Sequence, residues 1–164
     1  MTELGPRPRS LPIAPHAKPS RPRLPLAPDV RPELDAVRPV YAVWELTLRC
    51  DLACRHCGSR AGRARPDELT TAEALDMVRQ LAELGIREVT IIGGEAYLRE
   101  DWDQIAAALV ARGIDTSMTT GGRGITRERA QRAKDAGLST VSVSIDGLEA
   151  THDRLRAEIG RAHV

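Results

Sequence analysis

The chain has few aromatic side chains and no long apolar segment. It contains no Phe and only two Trp and two Tyr among 164 residues, so a core has to be built from aliphatic side chains and alanine. No apolar run approaches the roughly 18 residues that a membrane-spanning helix needs. The N-terminus also carries no apolar segment of the kind found in secretory signals. We therefore expect no membrane association.

The chain also has no excess of charge of either sign. It carries 24 basic and 23 acidic residues, which gives a formal net charge of +1. This balance provides no electrostatic reason to expect a nucleic acid or an anionic membrane as a partner. The length is typical of a single domain.

Only three cysteines are present, and they lie together. Cys50, Cys54 and Cys57 occupy one eight-residue loop directly after a strand-like run at 41–48. An odd number cannot pair completely as disulfides, and free thiols indicate a reducing cytoplasm. Such thiolates are soft metal ligands. An iron–sulfur cubane is normally held by four thiolates, one for each iron, so three leave one iron with an open coordination position.

A structural zinc site is the alternative for the same loop, with His56 as the fourth ligand. Structural zinc sites usually use two separated pairs of ligands. His56 also directly precedes Cys57, which makes joint coordination of one ion awkward. The iron–sulfur interpretation is favoured, and the zinc interpretation stays open at this point.

Residues 1–39 differ in composition from the rest of the chain. They hold ten of the eleven prolines, interleaved with six arginines, and they show no hydrophobic periodicity. We predict that this segment is disordered. A docking arm in the polyproline II conformation is the functional alternative.

From Val40 onward the pattern alternates between strands and helices. The predicted strands are 41–48, 88–92, about 114–119 and 140–145, and the predicted helices are 71–84, 101–112 and 126–136. The first helix begins at Thr70 or Thr71 with Glu73 as a capping-box partner, and the third faces inward with Ala130 and Ala133. A helix-ending glycine precedes each later strand, at Gly85, Gly113 and Gly137. This alternation predicts a parallel α/β sheet, either a barrel or a doubly wound sheet.

Unusual residues lie at or directly after the carboxyl end of each predicted strand, where β/α barrels carry their functional groups. In chain order they are the three cysteines; Gly93, Gly94 and Glu95; Thr119, Thr120, Gly121 and Gly122; and Ser142, Ser144 and Asp146. Structural alternatives exist for each cluster. A glycine pair can simply close a turn, the serines can be small inward-facing barrel residues, and the threonines can cap a loop.

These motifs resemble those of the radical S-adenosylmethionine (SAM) superfamily. The spacing Cys-x3-Cys-x2-Cys after a first strand is followed by Gly-Gly-Glu after the second. The sequence at 45–57, the sequence at 141–147, and His152 with Asp153 look most like the branch of peptide maturases and haem-biosynthesis enzymes. The resemblance covers about residues 40–156.

The resemblance implies specific roles for the strand-end residues. Cys50, Cys54 and Cys57 would hold a 4Fe-4S cluster whose open iron chelates S-adenosylmethionine. Gly93, Gly94 and Glu95 would meet the methionine amino group, while His56 would lie near the adenine and Ser144 would contact the cofactor. Thr119, Thr120 and Asp146 would lie on the substrate side. No catalytic protein side chain is assigned.

The same resemblance implies an enzyme that cleaves S-adenosylmethionine reductively. The resulting 5′-deoxyadenosyl radical would abstract hydrogen from a peptide or a small biosynthetic substrate, with an electron donor such as flavodoxin or ferredoxin. The alternative within the superfamily is a haem- or molybdopterin-type cofactor biosynthesis protein. The alternative from another class is a non-catalytic module that binds zinc or an iron–sulfur cluster.

The family core is a partial β/α barrel of six units, and this chain supplies about four. We expect 40–157 to be an incomplete core. The residues at 159–164 read like the translation of a sequencing adapter, so we expect 158–164 to be a non-native tail and the gene to be truncated. An open edge strand should be exposed in such a core, and we do not expect the isolated chain to fold into an active enzyme.

Overall fold

The computed structural model describes residues 39–156, so the segment predicted to be disordered (1–39, apart from Pro39) and the predicted tail (158–164) lie outside the described residues. The described part contains four strands: β1 (Tyr41–Glu45), β2 (Glu88–Ile92), β3 (Asp115–Thr120) and β4 (Thr140–Val143). Its α-helices are α1 (Thr71–Glu83), α2 (Trp102–Val110), α3 (Arg127–Asp135) and α4 (Glu149–Arg156), and a short 3-10 turn occupies Ala96–Leu98.

The four strands form one parallel sheet in the order β1-β2-β3-β4. Tyr41 pairs with Glu88, Glu88 pairs with Asp115, and Met118 pairs with Val141. Strands that follow one another in sequence are therefore neighbours throughout. A doubly wound sheet reverses its strand order at a switch point, whereas a barrel does not. The sheet is that of a partial β/α barrel, as the resemblance implies.

The predicted helix boundaries are largely confirmed. Thr70 is the N-cap of α1: its hydroxyl accepts a hydrogen bond from the Glu73 backbone N–H at 3.3 Å, and the Glu73 carboxylate accepts from the Thr70 N–H at 2.8 Å. The predicted glycine stops at Gly85, Gly113 and Gly137 all have positive φ angles, between 75° and 83°. Each lets the chain leave a helix in the left-handed conformation and enter a strand.

The core lies between the sheet and α1 and α2. Trp102, Ile105 and Leu109 are fully buried along one face of α2, and they pack with Ile91 and Met118 of the sheet. In the described part of the chain no helix is both long enough and apolar enough to cross a bilayer.

Three sequence-based expectations about the elements need correction. Ala133 is buried as predicted, but Ala130 is exposed because the short α3 turns only a narrow stripe toward the core. β1 ends at Glu45 rather than at 48, and β4 ends at Val143 rather than at 145. The residues that follow β1 bond to the loop after β2 instead of extending the sheet ladder. Helix α4 was not predicted.

Candidate cofactor-binding site

The structure brings most of the predicted site residues around one cavity. This cavity has a volume of about 290 Å³ and lies at the carboxyl ends of the strands. Its lining includes residues from the loops or ends of all four strands: Cys50, Cys54, His56, Cys57, Gly93, Gly94, Thr119, Thr120 and Ser144. Two candidates, Glu95 and Asp146, are not in the lining. The cavity therefore joins positions that are up to 106 residues apart in the sequence, from Cys50 to Arg156.

The cysteine loop presents three free thiols that are partly buried. The Leu52 N–H donates to Cys50 Sγ at 3.4 Å, and the Ala61 N–H donates to Cys57 Sγ at 3.3 Å. Burial raises the pKa of the Cys50 thiol, and the Leu52 N–H partly offsets this effect. Backbone N–H groups aimed at sulfur stabilise negative charge on it, as they do around iron–sulfur clusters.

Gly93 and Gly94 allow the loop after β2 to lie directly on the chain that leads into the cysteine loop. The Gly94 N–H donates to the Thr47 carbonyl at 2.8 Å, and the Glu95 N–H donates to the Arg49 carbonyl at 2.8 Å. A Cβ at Gly93 would lie 2.5 Å from the Thr47 oxygen, and one at Gly94 would lie 2.5 Å from the Arg49 oxygen. Neither position has room for a side chain.

Glu95 lies beneath the cavity rather than in its wall. Its side chain is fully buried, and Oε2 accepts a hydrogen bond from the Gly121 N–H at 2.9 Å. Burial raises the pKa of this carboxyl to about 7, against the opposing hydrogen bonds from Thr120 and Gly121. Its second oxygen, Oε1, has no hydrogen-bond partner among the described residues. Glu95 thus connects the loop after β2 to the loop after β3.

His56 and Asp146 belong to a small polar network at the edge of the cavity. Asp146 Oδ2 lies 3.6 Å from His56 Nε2 and accepts a hydrogen bond from Arg156 Nε at 2.6 Å. This hydrogen bond from Arg156 lowers the pKa of the Asp146 carboxyl. The Asp146 N–H donates to His152 Nδ1 at 3.2 Å. Asp146 therefore contacts two residues of the lining, His56 and Arg156, without lining the cavity itself.

Arg156 is a cavity residue that sequence reasoning missed. It lies at the end of α4, lines the cavity, and interacts with both Asp146 and the Cys54 thiol. The Arg55 N–H also donates to the Leu155 carbonyl at 2.8 Å, so the end of α4 rests on the cysteine loop. The only feature of the sequence that could have pointed to Arg156 is the helical segment at 149–156.

The hydroxyl residues at the ends of β3 and β4 differ in availability. Thr119 is partly buried and lines the cavity, whereas Thr120 is 2% exposed and its hydroxyl accepts the Gly122 N–H at 2.9 Å. Ser144 lines the cavity and is held by a backbone hydrogen bond from its N–H to the Thr120 carbonyl at 2.9 Å. Ser142 is exposed and pairs with Thr119 across the sheet.

The donor set fits a cluster better than a single ion. Within residues 39–156 no three His, Cys, Asp or Glu side chains converge closely enough to hold one metal ion. The three thiols instead surround a common cavity. In a cubane each cysteine binds a different iron, so its ligands stand around a volume rather than meet at a point.

A second, larger cavity of about 600 Å³ is lined by the start of α1 and the start of α2. Several of its charged residues are already engaged within the protein: Arg99 pairs with Asp101 at 2.7 Å, and Glu68 accepts from the Leu48 N–H at 2.8 Å. The three thiols lie at the smaller cavity, which is therefore the candidate functional site.

The fold and the site together define an α/β barrel protein with a cysteine-lined cofactor cavity at the carboxyl ends of its strands. The sequence profile of the Radical SAM superfamily matches residues 44–163. The chain therefore belongs to the radical SAM superfamily, whose members use a 4Fe-4S cluster and S-adenosylmethionine.

Curated relatives come from both groups that the resemblance suggests. The chain is 37% identical over 119 residues to the Fe-coproporphyrin III synthase of Methanosarcina barkeri. The aligned region covers 72% of this chain and 30% of that protein. It is 36% identical over 124 residues to the mycofactocin maturase MftC of Mycobacterium tuberculosis, with 75% and 31% coverage. The chain thus spans less than a third of the length of these relatives.

Solved structures confirm the fold. SuiB of Streptococcus suis bound to S-adenosylmethionine matches with a TM-score of 0.61 and 25% identity, over 74% of this chain and 28% of that one. BtrN in complex with AdoMet and 2-DOIA matches with a TM-score of 0.56 and 21% identity, over 74% of this chain and 50% of that one. The second match supports the fold alone.

Proposed function

We propose that this chain provides the cluster- and cofactor-binding part of a radical SAM enzyme. Cys50, Cys54 and Cys57 ligate a 4Fe-4S cluster, and S-adenosylmethionine binds in the same cavity. The observation that carries the proposal is that all three cysteines of the chain line a single cavity at the carboxyl ends of the strands. The incomplete core at 40–157 is the domain proposed to do this.

Once bound, S-adenosylmethionine would supply, on reductive cleavage, a 5′-deoxyadenosyl radical able to abstract hydrogen from the substrate. The protein binds and orients the reacting groups and keeps water away from them. Gly93 and Gly94 present backbone at the cavity wall, where the methionine amino group is proposed to bind. Glu95 is proposed to act from beneath, because its carboxylate fixes this loop against Gly121 at 2.9 Å.

The remaining residues of the lining are proposed to surround the nucleoside and the substrate. His56 and Ser144 are proposed to contact the nucleoside, and their presence in the cavity lining supports this. Thr119 is the substrate-side candidate with an available side chain. Thr120 and Asp146 are both engaged in hydrogen bonds within the protein, so we propose that they support the cavity wall.

The open face of the sheet carries a row of hydroxyl groups, which favours a peptide or another polar molecule as the substrate. Ser117 lies two residues before Thr119 on β3 and therefore shares the cavity-side face. On this face the Tyr41 hydroxyl donates to Thr90 Oγ1 at 2.9 Å, and Thr90 Oγ1 lies 3.0 Å from Ser117 Oγ. The relatives include SuiB, which has been crystallised with the precursor peptide SuiA. The similarity to Fe-coproporphyrin III synthase makes cofactor biosynthesis the second candidate.

Anaerobic reconstitution of the full chain with iron and sulfide tests the proposal. Although the incomplete core led us to expect an inactive chain, residues 39–156 form the sheet and the cysteine-lined cavity. We therefore expect a brown protein whose spectrum changes when S-adenosylmethionine is added, and 5′-deoxyadenosine when dithionite is supplied. Cys54→Ala should lose cluster binding. Asp135→Asn, which changes an exposed residue of α3 paired with Gln131, should retain it. A colourless protein that binds one zinc ion would contradict the proposal.

A further inference from the structure

The loop that carries the thiols also carries an uneven distribution of charge. Residues 49–65 contain five arginines and only one acidic residue, Asp51, whereas the rest of the described chain has 11 basic and 17 acidic residues. We call these arginines the arginine surface; they are Arg49, Arg55, Arg60, Arg63 and Arg65, and all are exposed. The near-neutral charge of the whole chain conceals this local excess.

The arginine surface is separate from the lining of the cofactor cavity. None of its five side chains contributes to the cavity lining within the described residues. Arg65 pairs with Glu45 at 2.8 Å, and Arg49 donates to the Leu98 carbonyl at 3.4 Å. Arg55, Arg60 and Arg63 form no ion pair with any residue of 39–156. Three exposed cations without an ion pair among residues 39–156 therefore lie on the loop that carries the thiols.

The backbone at Arg60 gives a second observation. Arg60 has φ +49°, and it is the only residue of the described chain other than glycine with a positive φ. This left-handed conformation disfavours arginine and is open to glycine. Local folding therefore gives no reason for an arginine at this position.

We propose that the arginine surface is the docking site for an acidic electron-transfer protein of the flavodoxin type. This inference rests on the proposed function, because a cluster in this cavity has to receive one electron from outside the protein. The electron leaves the fully reduced flavin, which becomes a semiquinone, and enters the cluster, which is reduced by one electron. Opposite charges speed such an encounter by steering the partner to the loop.

A nucleic acid fits this surface less well. Residues 49–65 include no Trp, Tyr or Phe, so the surface offers no aromatic platform on which bases stack. An anionic membrane is the other possible occupant. Binding assays with vesicles and with single-stranded RNA distinguish both from an acidic protein.

The test compares two triple charge reversals of the reconstituted full chain. One is Arg55→Glu with Arg60→Glu and Arg63→Glu. The control is Arg87→Glu with Arg112→Glu and Lys134→Glu, which makes the same charge change at exposed positions near the opposite ends of the strands. Cluster content and reduction potential are measured for both, so that a change in the cluster itself is recognised.

Reduced flavodoxin should reduce the cluster of the first variant at least about tenfold more slowly than that of the wild type, as expected from lost electrostatic steering. Added salt should slow the wild type and the control variant, because it screens exposed charges beyond about 10 Å at 0.1 M. Dithionite should reduce all three proteins at similar rates and yield 5′-deoxyadenosine from each.

Equal rates with flavodoxin for the two variants would overturn the docking proposal. Loss of binding to phosphatidylserine vesicles or to single-stranded RNA, with an unchanged flavodoxin rate, would overturn it as well. If dithionite gives no 5′-deoxyadenosine with the wild type, it is the proposed function that fails. The two failures are therefore separable.

Discussion

At the scale of single residues, the two glycines after β2 are required for chain packing before any ligand is considered. The Gly94 Cα faces the Arg49 and Leu48 carbonyls and the Cys50 Cβ, all within 2.8 Å of where a Cβ would be. The Gly-Gly pair thus brings the second strand-end loop against the cysteine loop. This contact determines where the cavity forms.

Gly94→Ala should therefore destabilise the fold and disturb the cysteine loop together. Overpacking of this kind costs about 1–3 kcal/mol, and the contacts here include backbone atoms that cannot rotate away. Urea unfolding monitored by tryptophan fluorescence measures the loss. Gly62→Ala is the matched control, since no atom lies within 4 Å of a Cβ at Gly62, and equal stability of the two variants would contradict the explanation.

Glu95 is expected to make stability depend on pH. Burial raises the pKa of its carboxyl to about 7 from an ordinary value of 4.5. Between these two pH values the folded state therefore keeps the proton on Glu95, whereas the unfolded state has released it. The associated stabilisation is fully present below pH 4.5 and is lost as pH rises through about 7. Its upper limit is on the order of 3 kcal/mol.

Comparison with Glu95→Gln isolates this contribution. The free energy of unfolding of the wild type, relative to that of the variant, should fall between pH 4.5 and pH 8. The glutamine carbonyl can still accept the Gly121 N–H, so the variant keeps the hydrogen bond between the two loops. Glu83→Gln, at an exposed position paired with Arg79, should run parallel to the wild type. A constant difference between wild type and Glu95→Gln would refute the expected titration.

At the scale of elements, the start of α1 fixes how the chain returns from the cysteine loop to the sheet. Thr70 and Glu73 satisfy each other's backbone N–H groups in a capping box. Helix N-termini leave such donors unpaired unless a side chain accepts from them. The cap therefore sets the end of the long connection at 46–70.

Thr70→Ala should lower the free energy of unfolding by about 1 kcal/mol. Thr70→Ser keeps the hydroxyl and should leave stability close to that of the wild type. Chemical unfolding of the three proteins under the same conditions provides the measurement. A serine variant as unstable as the alanine variant would show that the threonine methyl group, and not the cap, is important.

At the scale of the whole molecule, β4 forms an edge of the described sheet. All four of its residues are exposed, including Val141 and Val143, and Ile145 just beyond it is 63% exposed. Unpaired edge strands with apolar side chains promote association between chains.

Val143→Lys should reduce concentration-dependent association of the isolated chain, because a charged edge opposes strand pairing. Leu84→Lys removes another exposed apolar side chain, 62% exposed at the end of α1, and should leave association unchanged. Sedimentation velocity over a range of concentrations gives the comparison. Similar effects of the two variants would indicate general surface hydrophobicity rather than the strand edge.

The sequence alone determined the order and type of the elements from β1 to β4. Capping residues, glycine stops and hydrophobic periodicity act over a few residues. They can therefore be recognised from the sequence when the fold is not known. The same holds for the cysteine spacing and the Gly-Gly-Glu motif, which carried the family resemblance. The helix α4 was missed because its sequence is polar, with only His152 buried among its residues.

Only the tertiary structure decided which of these residues face one another. It placed Glu95 beneath the cavity, through a hydrogen bond to Gly121 that spans 26 residues. It brought Arg156 to Cys54, and it left Arg55, Arg60 and Arg63 exposed to solvent. Burial, pairing and direction depend on neighbours that are distant in the chain. Local patterns therefore identified the cysteines, and the packing of the sheet and α4 determined their surroundings.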